Sequence, residues 1–357
     1  MKLVIFAGGS GKRFWPISRV KLPKQFVKIT NSASTLQLSV KRIQPVYGWH
    51  NIYISTNEKY VTKVKEQIPS ISISNIFTEP ARRDVGPAVG LALIHLHKMG
   101  VKEPVFIGWA DHLIKKEKEF QKKLKDAEQA IMQDKYKIVL WGEKPKFANS
   151  NFGWISIKNN SEDIIKKFNK LVYRPDQNIC DNMFKSEEWL WNTGYFVSTV
   201  DYLLSIYKKH QPEMYKKLVK IESALDTIKE SETLQKIYPT LNAISFDEAV
   251  IYNIPSNEVG VLKSNMGWED PGTLYALKKS AEPSDKNYIR GRGKLQKSKD
   301  SMIFNEEGTK LVVGLNLDET IIVNTKDVTF VTNKSGVKDI KELLSEFEKE
   351  ITFKKYL

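Results

Sequence analysis

A chain of 357 residues, of which 41% are hydrophobic, is long enough to form one large domain or two smaller ones around apolar cores. Cys180 is the only cysteine, which excludes an internal disulfide. The sequence shows no signal-peptide pattern and no run near the ~20 apolar residues of a membrane span. We therefore expect a cytoplasmic protein that does not bind membranes. The net charge is +14, but the lysines alternate with acids and no basic tail or zinc motif occurs, so we expect no nucleic-acid partner and a positive field that attracts anionic substrates.

The first two-thirds of the chain alternates strand-like and helix-like segments. This alternation predicts an α/β fold with a Rossmann-like mixed, mainly parallel sheet flanked by helices. Ligands of such sheets bind beyond the carboxyl ends of the strands. The predicted strands are residues 2–7, 51–56, 104–108 and 137–141, and the predicted helices are residues 58–67, 87–99 and 116–133.

The pattern changes near residue 283, where Glu-Pro-Ser-Asp is typical of a linker. Short apolar pieces then recur between turn residues and predict a small β appendix. A final helix over residues 337–349 would place apolar side chains on one face, to pack on the chain itself or on a subunit partner. We therefore expect one domain over residues 1–282, a β-rich domain with a terminal helix over residues 283–357, and a homo-oligomer, namely a dimer. The apolar pieces are residues 302–304, 311–313, 320–323 and 328–331, and the helical face carries Val337, Ile340, Leu344 and Phe347.

Three glycines in four residues, Gly8, Gly9 and Gly11 around Ser10, follow the first predicted strand. Glycine lets the backbone bend tightly and approach a ligand without a Cβ in the way. The backbone N–H groups of such a turn can surround a phosphate. The pattern therefore indicates a turn that binds a nucleotide triphosphate, although an ordinary strand-to-helix turn is an alternative. We call residues 8–11 the glycine turn.

Two cations follow the glycine turn, and two better-known glycine motifs are excluded. Arg13 lies within reach of the same anion, and Lys24 comes after a second turn at Pro23. A P-loop would need Ser or Thr after Gly-Lys, and a dinucleotide-binding turn would need glycine where this chain has Phe14.

The run Gly8-Gly9-Ser10-Gly11-x-Arg13-x-Trp15-Pro16-x-Ser18-Arg19, followed by Pro23-Lys24-Gln25-Phe26, resembles the signature of sugar-1-phosphate nucleotidyltransferases. Its Trp-Pro-x-Ser-Arg and Pro-Lys-Gln-Phe parts are similar to mannose-1-phosphate guanylyltransferases (GDP-mannose pyrophosphorylases). The resemblance covers nearly the whole chain, and it is strongest over residues 4–26 and weaker after residue 283. It implies a glycosyltransferase-A-like catalytic domain, a β-helix-like C-terminal segment, and GTP and mannose 1-phosphate as substrates.

Two aspartates far apart in the sequence are candidate metal ligands. Asp111 follows an apolar strand, where a carboxylate is costly unless it meets a cation or hydrogen bonds, and Asp270 lies in the turn Gly-Trp-Glu-Asp-Pro-Gly. Carboxylates beside bound phosphates suit Mg²⁺. The resemblance implies the same role, because both match the family's metal-binding aspartates, although Trp109 stands where proline is usual. The alternative is a surface-turn aspartate or helix N-cap, and we expect His112 to be a structural neighbour because Mg²⁺ prefers oxygen.

The segment Glu79-Pro-Ala-Arg-Arg-Asp-Val-Gly-Pro87-Ala resembles the family's base-binding loop. Guanine presents two adjacent donors that one carboxylate can accept, so Glu79 is the candidate for base recognition. Arg83 could contact phosphates or brace the loop, and Pro87 matches the family's proline. Asp84 replaces the usual asparagine, and it could simply be an N-cap for the next helix.

Three further segments resemble the family's sugar site. Gly153 and Asn192 match a glycine and an asparagine that face the sugar, although each could be an ordinary strand or bulge residue. Arg174 takes the place of a lysine and could hold the sugar phosphate bidentately. Tyr173 and Tyr252 stand where the family has glutamates, which leaves the identity of the sugar open.

The residues favour an in-line attack of a sugar phosphate on the α-phosphorus of GTP, with pyrophosphate leaving. Mg²⁺ on Asp111 and Asp270 would polarise the α-phosphate. Arg13 would hold the β- and γ-phosphates, and Lys24 would stabilise charge at the transferring phosphorus. Three alternatives remain: another sugar or base, a non-catalytic regulatory subunit that binds nucleotide sugar, and a nucleic-acid-binding protein.

Overall fold

A computed structural model describes residues 1–9, 11–29, 33–158 and 163–357, so Ser10 lies outside the described residues. The chain divides into two compact units. The first consists of Met1–Ala7, Val40–Ala110 and Ile114–Trp268, and the second of Gly8–Ser39, Asp111–Leu113 and Glu269–Leu357. Within the described ranges, no helix combines the length and apolar character needed to cross a bilayer.

The first unit is built on one mixed sheet, whose order is β3-β2-β1-β4-β9-β6-β10-β8-β7. Its first strand, Leu-Val-Ile-Phe after Lys2, is almost entirely buried, as expected for an apolar run in the middle of a sheet. The strands are β1 (Lys2–Phe6), β2 (Ile52–Asn57), β3 (Ile76–Glu79), β4 (Val105–Trp109), β6 (Ile138–Glu143), β7 (Gly153–Lys158), β8 (Ile165–Tyr173), β9 (Trp189–Ser198) and β10 (Val259–Ser264), while β5 (Leu113–Ile114) and β11 (Trp268–Glu269) contain points where the chain passes between units.

The two halves of this sheet differ in strand direction. Strands β3, β2, β1 and β4 run parallel to one another, as the alternating pattern predicts. The other half is mixed, because β9 runs antiparallel to both β4 and β6 and β8 runs antiparallel to β7 and β10. The prediction of a mixed sheet is confirmed, whereas the predominance of parallel pairs is confined to the first half.

The helices of the first unit include the three that the sequence predicts. Helix α3 is buried over almost its whole surface, and this accounts for its lack of a polar face. Its Gly86 donates to the Ile244 carbonyl at 2.9 Å, an approach that leaves no room for a Cβ. The helices are α1 (Thr35–Tyr47), which also spans a unit boundary, α2 (Val61–Gln67), α3 (Val85–Lys98), α4 (Glu117–Met132), α5 (Gln177–Lys185), α6 (Val200–His210), α7 (Pro212–Ala224), α8 (Glu230–Ile237) and α9 (Phe246–Ala249).

The second unit contains the predicted β pieces and the terminal helix. Strands β12, β14 and β16 pair in parallel and β17 pairs antiparallel to β16, while β13 and β15 form a separate parallel pair. The elements are α10 (Leu274–Ala281), β12 (Tyr288–Arg290), β13 (Gly293–Gln296), β14 (Met302–Asn305), β15 (Val312–Leu315), β16 (Thr320–Asn324), β17 (Thr329–Asn333) and α11 (Ile340–Lys349).

The core of the second unit joins the start of the chain to its end. Buried Phe14 and Trp15 pack in one cluster with Phe304 of β14 and with Ile340 and Leu344 of α11. The apolar face of the terminal helix therefore packs on the chain itself, which settles one of the two predicted alternatives.

Candidate active site

Gly11, the last residue of the glycine turn, packs against the segment that carries Lys24. Gly11 has φ +61, and a Cβ placed on it would lie 2.8 Å from the backbone N of Lys24. The Ser18 hydroxyl donates to the Gly11 carbonyl at 2.5 Å. Only glycine combines this conformation with this close approach, so Gly11 determines where Lys24 lies.

We expect Gly11→Ala to destabilise the protein by more than the ~1–2 kcal/mol that a left-handed conformation costs a non-glycine residue, because the added Cβ also meets Lys24. Gly100→Ala is the matched control, since Gly100 has φ +74 and open space around it. Urea unfolding measures both losses of stability. Equal losses for the two variants would contradict the steric contribution at Gly11.

Gln25 satisfies both backbone groups of Gly9. With the side-chain amide oriented by its hydrogen bonds, its oxygen accepts from the Gly9 N–H at 2.9 Å and its nitrogen donates to the Gly9 carbonyl at 3.2 Å. The Gly9 N–H is therefore engaged within the protein, and the expected phosphate contacts of the turn would have to come from its other N–H groups.

Lys24, Asp111 and Asp270 meet within the second unit. The Lys24 ammonium lies 3.3 Å from Asp111 Oδ2 and 3.2 Å from Asp270 Oδ1. Its side chain is 7% exposed, whereas the two carboxylates are 29% and 31% exposed. Three segments that are far apart in the sequence thus place two accessible carboxylates around one buried cation.

The opposite charges of Lys24 and the two aspartates control the ionisation of Lys24 and Asp111. Burial alone would lower the pKa of Lys24, but Asp111 and Asp270 reverse that effect and raise its pKa above the ordinary value. Burial would likewise raise the pKa of Asp111, but Lys24 and then His112 lower its pKa to about 2. Lys24 therefore stays protonated and Asp111 stays ionised throughout the neutral range.

The depressed pKa of Asp111 predicts how stability depends on pH. Its ordinary value is 3.8 and its folded value is about 2, so its contribution is present above pH ~4 and is lost as the pH falls toward 2. We expect wild-type protein to lose stability over this window more steeply than Asp111→Asn, which cannot titrate there. Urea unfolding at pH 2 to 6 measures both curves, and parallel curves would contradict the ion pair.

Arg13 lies against the turn that follows Asp270. Its guanidinium is exposed, and a Cβ on Gly272 would lie 3.5 Å from its Nη1. The Gly272 N–H donates to the Asp270 carbonyl at 2.7 Å, which closes this turn. The structure therefore places Arg13, Lys24, Asp111 and Asp270 in one unit. Gly8, Gly9 and Gly11 belong to the same unit and come just before Arg13 in the chain.

The candidate base-binding residues lie in the first unit. Glu79 is buried at the end of β3, and its Oε2 accepts from the Tyr238 hydroxyl at 2.7 Å. Burial raises the pKa of Glu79, against the opposing effects of Tyr238 and Arg82. The Nε of Arg83 is buried without a hydrogen-bond partner among the described residues. Asp84 accepts from the Val85 N–H at 2.7 Å as the N-cap of α3, which confirms its predicted capping role, and Pro87 is buried in that helix.

The candidate sugar-binding residues are neighbours on three adjacent strands of the first unit. Gly153 begins β7 and lies opposite Asn192 of β9 and Tyr173 of β8. Asn192 Oδ1 accepts from the Gly194 N–H at 3.0 Å, which fixes its amide. Arg174 has φ +46, and its guanidinium lies 5.0 Å from the centre of the exposed Tyr173 ring. The structure thus brings together the residues that the sequence places in three separate segments.

The signature also contains structural residues that sequence reasoning did not separate from the functional ones. The Trp15 indole N–H and an Arg19 N–H both donate to the Tyr356 carbonyl, at 2.7 and 2.5 Å. Arg19 also pairs with Asp327 at 2.8 Å. These contacts attach the segment after the glycine turn to the end of the chain. The apolar helical face at residues 337–347 predicts that another part of the protein covers it. No local sequence pattern identifies Trp15 as one of the covering residues.

The fold and sequence are similar to those of known proteins. The chain is 29% identical over 357 residues to the mannose-1-phosphate guanylyltransferase of Salmonella muenchen, covering 96% of this chain and 72% of the relative. It is also 29% identical to the enzyme of the same name from Salmonella montevideo, covering 97% and 74%. The crystal structure of mannose-1-phosphate geranyltransferase from Thermus thermophilus has the same fold, with a TM-score of 0.86, 19% identity and coverage of 97% of this chain and 99% of that one.

The match to a family is more extensive than any single motif. Residues 2–286 match the nucleotidyl transferase family, a range that includes the glycine turn, Lys24 and both aspartates. The chain belongs to the nucleotidyl transferase family.

Proposed function

We propose that the protein transfers a guanylyl group from GTP to mannose 1-phosphate, giving GDP-mannose and pyrophosphate. The observation that carries this proposal is the Lys24 ammonium between Asp111 and Asp270, on the segment that follows the glycine turn. The names of the Salmonella relatives support the choice of GTP and mannose 1-phosphate.

The reaction needs no general base from the protein. The second pKa of a phosphomonoester is about 6, so the attacking oxygen of the sugar phosphate is already largely ionised. That oxygen forms a bond to the α-phosphorus of GTP while the bond from this phosphorus to the departing pyrophosphate breaks. Arg13 would hold the β- and γ-phosphates, and Lys24 would stabilise negative charge at the transferring phosphorus. Catalysis then comes from alignment and charge neutralisation.

The residues fit a magnesium ion. Asp111 and Asp270 present accessible carboxylate oxygens, the ligand type that Mg²⁺ prefers, and in this structure both face a cation. No group of three or more His, Cys, Asp and Glu side chains in the described ranges could hold a metal, so phosphate and water would complete the shell. A bound Mg²⁺ would polarise the α-phosphate and lower the repulsion between the two anionic substrates.

The first unit would supply specificity. Glu79 would accept the two adjacent guanine donors with the carboxylate that Tyr238 orients, and Arg83 and Pro87 would complete the base-binding loop. Gly153, Asn192 and Tyr173 would face the sugar, and Arg174 would hold its phosphate. These roles rest on the resemblance and on the proximity of the sugar-side residues to one another.

Four further features are proposals. We place a domain boundary after residue 282, supported by the family match that ends at residue 286. The parallel pairing of β12, β14 and β16 supports a β-helix-like C-terminal segment. Exposed Leu311, Val313 and Leu315 support a homodimer, since a second copy would cover them. The single cysteine, a buried free thiol, supports a cytoplasmic location.

A pyrophosphate-release assay over a matrix of nucleoside triphosphates and hexose 1-phosphates, with and without Mg²⁺, tests the proposal. We expect GTP with mannose 1-phosphate to give the highest kcat/KM, and only with Mg²⁺ present. Faster turnover of another pair would favour the same chemistry with another sugar or base. Binding of GDP-mannose without any pyrophosphate release would instead identify a regulatory subunit.

One observation favours the alternative of another sugar. Tyr173 and Tyr252 are 55% and 50% exposed, and they lie near enough for Tyr173 to contribute to the raised pKa of Tyr252, after burial, Asp247 and Glu248. Two exposed phenol rings present an apolar face to a sugar where two glutamates would accept its hydroxyls. The hexose arm of the same assay decides between the two.

A further inference from the structure

Glu143 is a buried carboxylate that the proposed reaction does not use. It ends β6, and its side chain has no exposed surface. Its contacts among the described residues include no cation, although an unpaired buried carboxylate is costly. Burial raises the pKa of Glu143, and four hydrogen bonds oppose that rise by favouring the ionised form. Because four donors are directed at this one carboxylate, we infer that it organises them.

Those donors belong to one short segment. Oε2 accepts from the Ser264 hydroxyl at 2.8 Å and from the Met266 N–H at 3.1 Å. Oε1 accepts from the Gly267 N–H at 2.8 Å and the Trp268 N–H at 3.1 Å. Three consecutive backbone N–H groups thus converge on one carboxylate, an arrangement that usually encloses a bound anion. Here the acceptor is a side chain of the protein itself, so the conformation of residues 266–268 is set before any ligand arrives.

The anchored segment leads to functional candidates on both sides. Asp270 follows Trp268 by two residues in the chain. The buried Trp268 ring contacts Phe152 and Trp191, with ring centres 5.1 and 6.4 Å away. Phe152 and Trp191 directly precede Gly153 and Asn192, the candidate sugar-binding residues.

Gly267 shows that the bend in this segment is required. It has φ +69, and a Cβ on it would lie 2.9 Å from Cβ of Lys115. The backbone therefore needs both glycine at this position and an acceptor for three N–H groups that the bend directs inward.

We propose that Glu143 is a positioning residue for the site, because its carboxylate fixes residues 266–268. These residues in turn fix the start of the segment that carries Asp270. They also fix the aromatic side chains that support Gly153 and Asn192. The expected effect of Glu143 on turnover rests on the proposed function. Glu143 is assigned no contact with substrate, so the expected effects are on geometry and alignment.

Glu143→Gln tests the inference, because the amide keeps the shape but its NH₂ cannot accept from backbone N–H groups. Ser264→Ala removes one donor and leaves the three backbone ones. Ser198→Ala removes a buried hydroxyl, hydrogen bonded to the Lys137 carbonyl at 2.6 Å, from β9 of the same sheet. Glu143→Asp retains the charge and serves if the glutamine variant does not fold.

We expect Glu143→Gln to accelerate hydrogen exchange of the amides at residues 266–268. Turnover should fall and the Mg²⁺ concentration at half-maximal rate should rise. Each change should be roughly 10–100-fold, the range typical of residues that orient metal ligands. Glu143→Asp should show intermediate values, and both serine variants should stay within about twofold of wild type. A merely structural role would lower the melting temperature without changing turnover or the Mg²⁺ requirement of the folded fraction.

Folded Glu143→Gln with wild-type turnover, Mg²⁺ dependence and exchange would overturn the inference, and so would an equal fall in Ser198→Ala. Wild-type protein that releases no pyrophosphate from any substrate pair would contradict the proposed function alone. Calorimetric titration with GDP-mannose and Mg²⁺ would then decide the role of Glu143, with weaker binding to Glu143→Gln supporting the inference and equal binding overturning it.

Discussion

Lys24→Met should lower kcat by about 10²–10³-fold, the cost of removing one donor aimed at developing negative charge, while the KM for GTP changes much less. The Lys24 ammonium lies within 3.3 Å of Asp111 and 3.2 Å of Asp270, so it is held in position before substrate binds. Because charge at the transferring phosphorus is greatest in the transition state, its loss should affect turnover more than binding. Steady-state kinetics of pyrophosphate release measure both parameters.

Lys21→Met is the matched control, since it removes the same charge from an exposed side chain three residues earlier. It should leave kcat unchanged. Lys24→Met also leaves two carboxylates near one another without their common cation, which should raise the pKa of one of them. Wild-type turnover in folded Lys24→Met would remove Lys24 from the mechanism.

Asp111→Asn and Asp270→Asn should each lower kcat on the order of 10³-fold, since metal-ion stabilisation of the reacting phosphate is worth several kcal/mol. The double variant should be scarcely worse than either single one, because two ligands of one ion act as a unit. Each single variant should also need more Mg²⁺ for half-maximal rate. Kinetics over a range of Mg²⁺ concentrations, together with Mn²⁺ binding in the presence of GTP, measure these effects.

Asp318→Asn is the control for an exposed aspartate outside the candidate site, because Asp318 is exposed in the second unit. It should retain wild-type turnover and Mg²⁺ dependence. If Asp270→Asn behaves in the same way, Asp270 is a surface-turn residue and the alternative interpretation of that aspartate is correct.

The local sequence pattern predicts individual elements better than their arrangement. The four predicted strands correspond to β1, β2, β4 and β6, and the predicted terminal helix corresponds to α11. Each has a periodic or continuous apolar pattern, which its own burial requires. The insertion of β9 between β4 and β6 was not predictable in this way, because strand order depends on pairing between distant segments.

The candidate site shows the same division. The glycines and the two aspartates are visible as a motif, and the structure places Lys24, Asp111 and Asp270 together. The sequence does not show which residues orient these side chains. Gln25 holds Gly9 through its amide, and Tyr238 contacts Glu79 from 159 positions away along the chain. Such partners are set by tertiary packing, which a single sequence does not display.

The attachment of residues 14–29 to the end of the chain affects how the protein is made. Translation proceeds at about 5–20 residues per second, so a nascent chain exposes Phe14 and Trp15 for roughly 20–70 seconds before α11 leaves the ribosome. Until then these aromatic side chains lack the partners that bury them in the finished protein. We therefore expect the segment that follows the glycine turn to reach its final packing only after α11 has been synthesised.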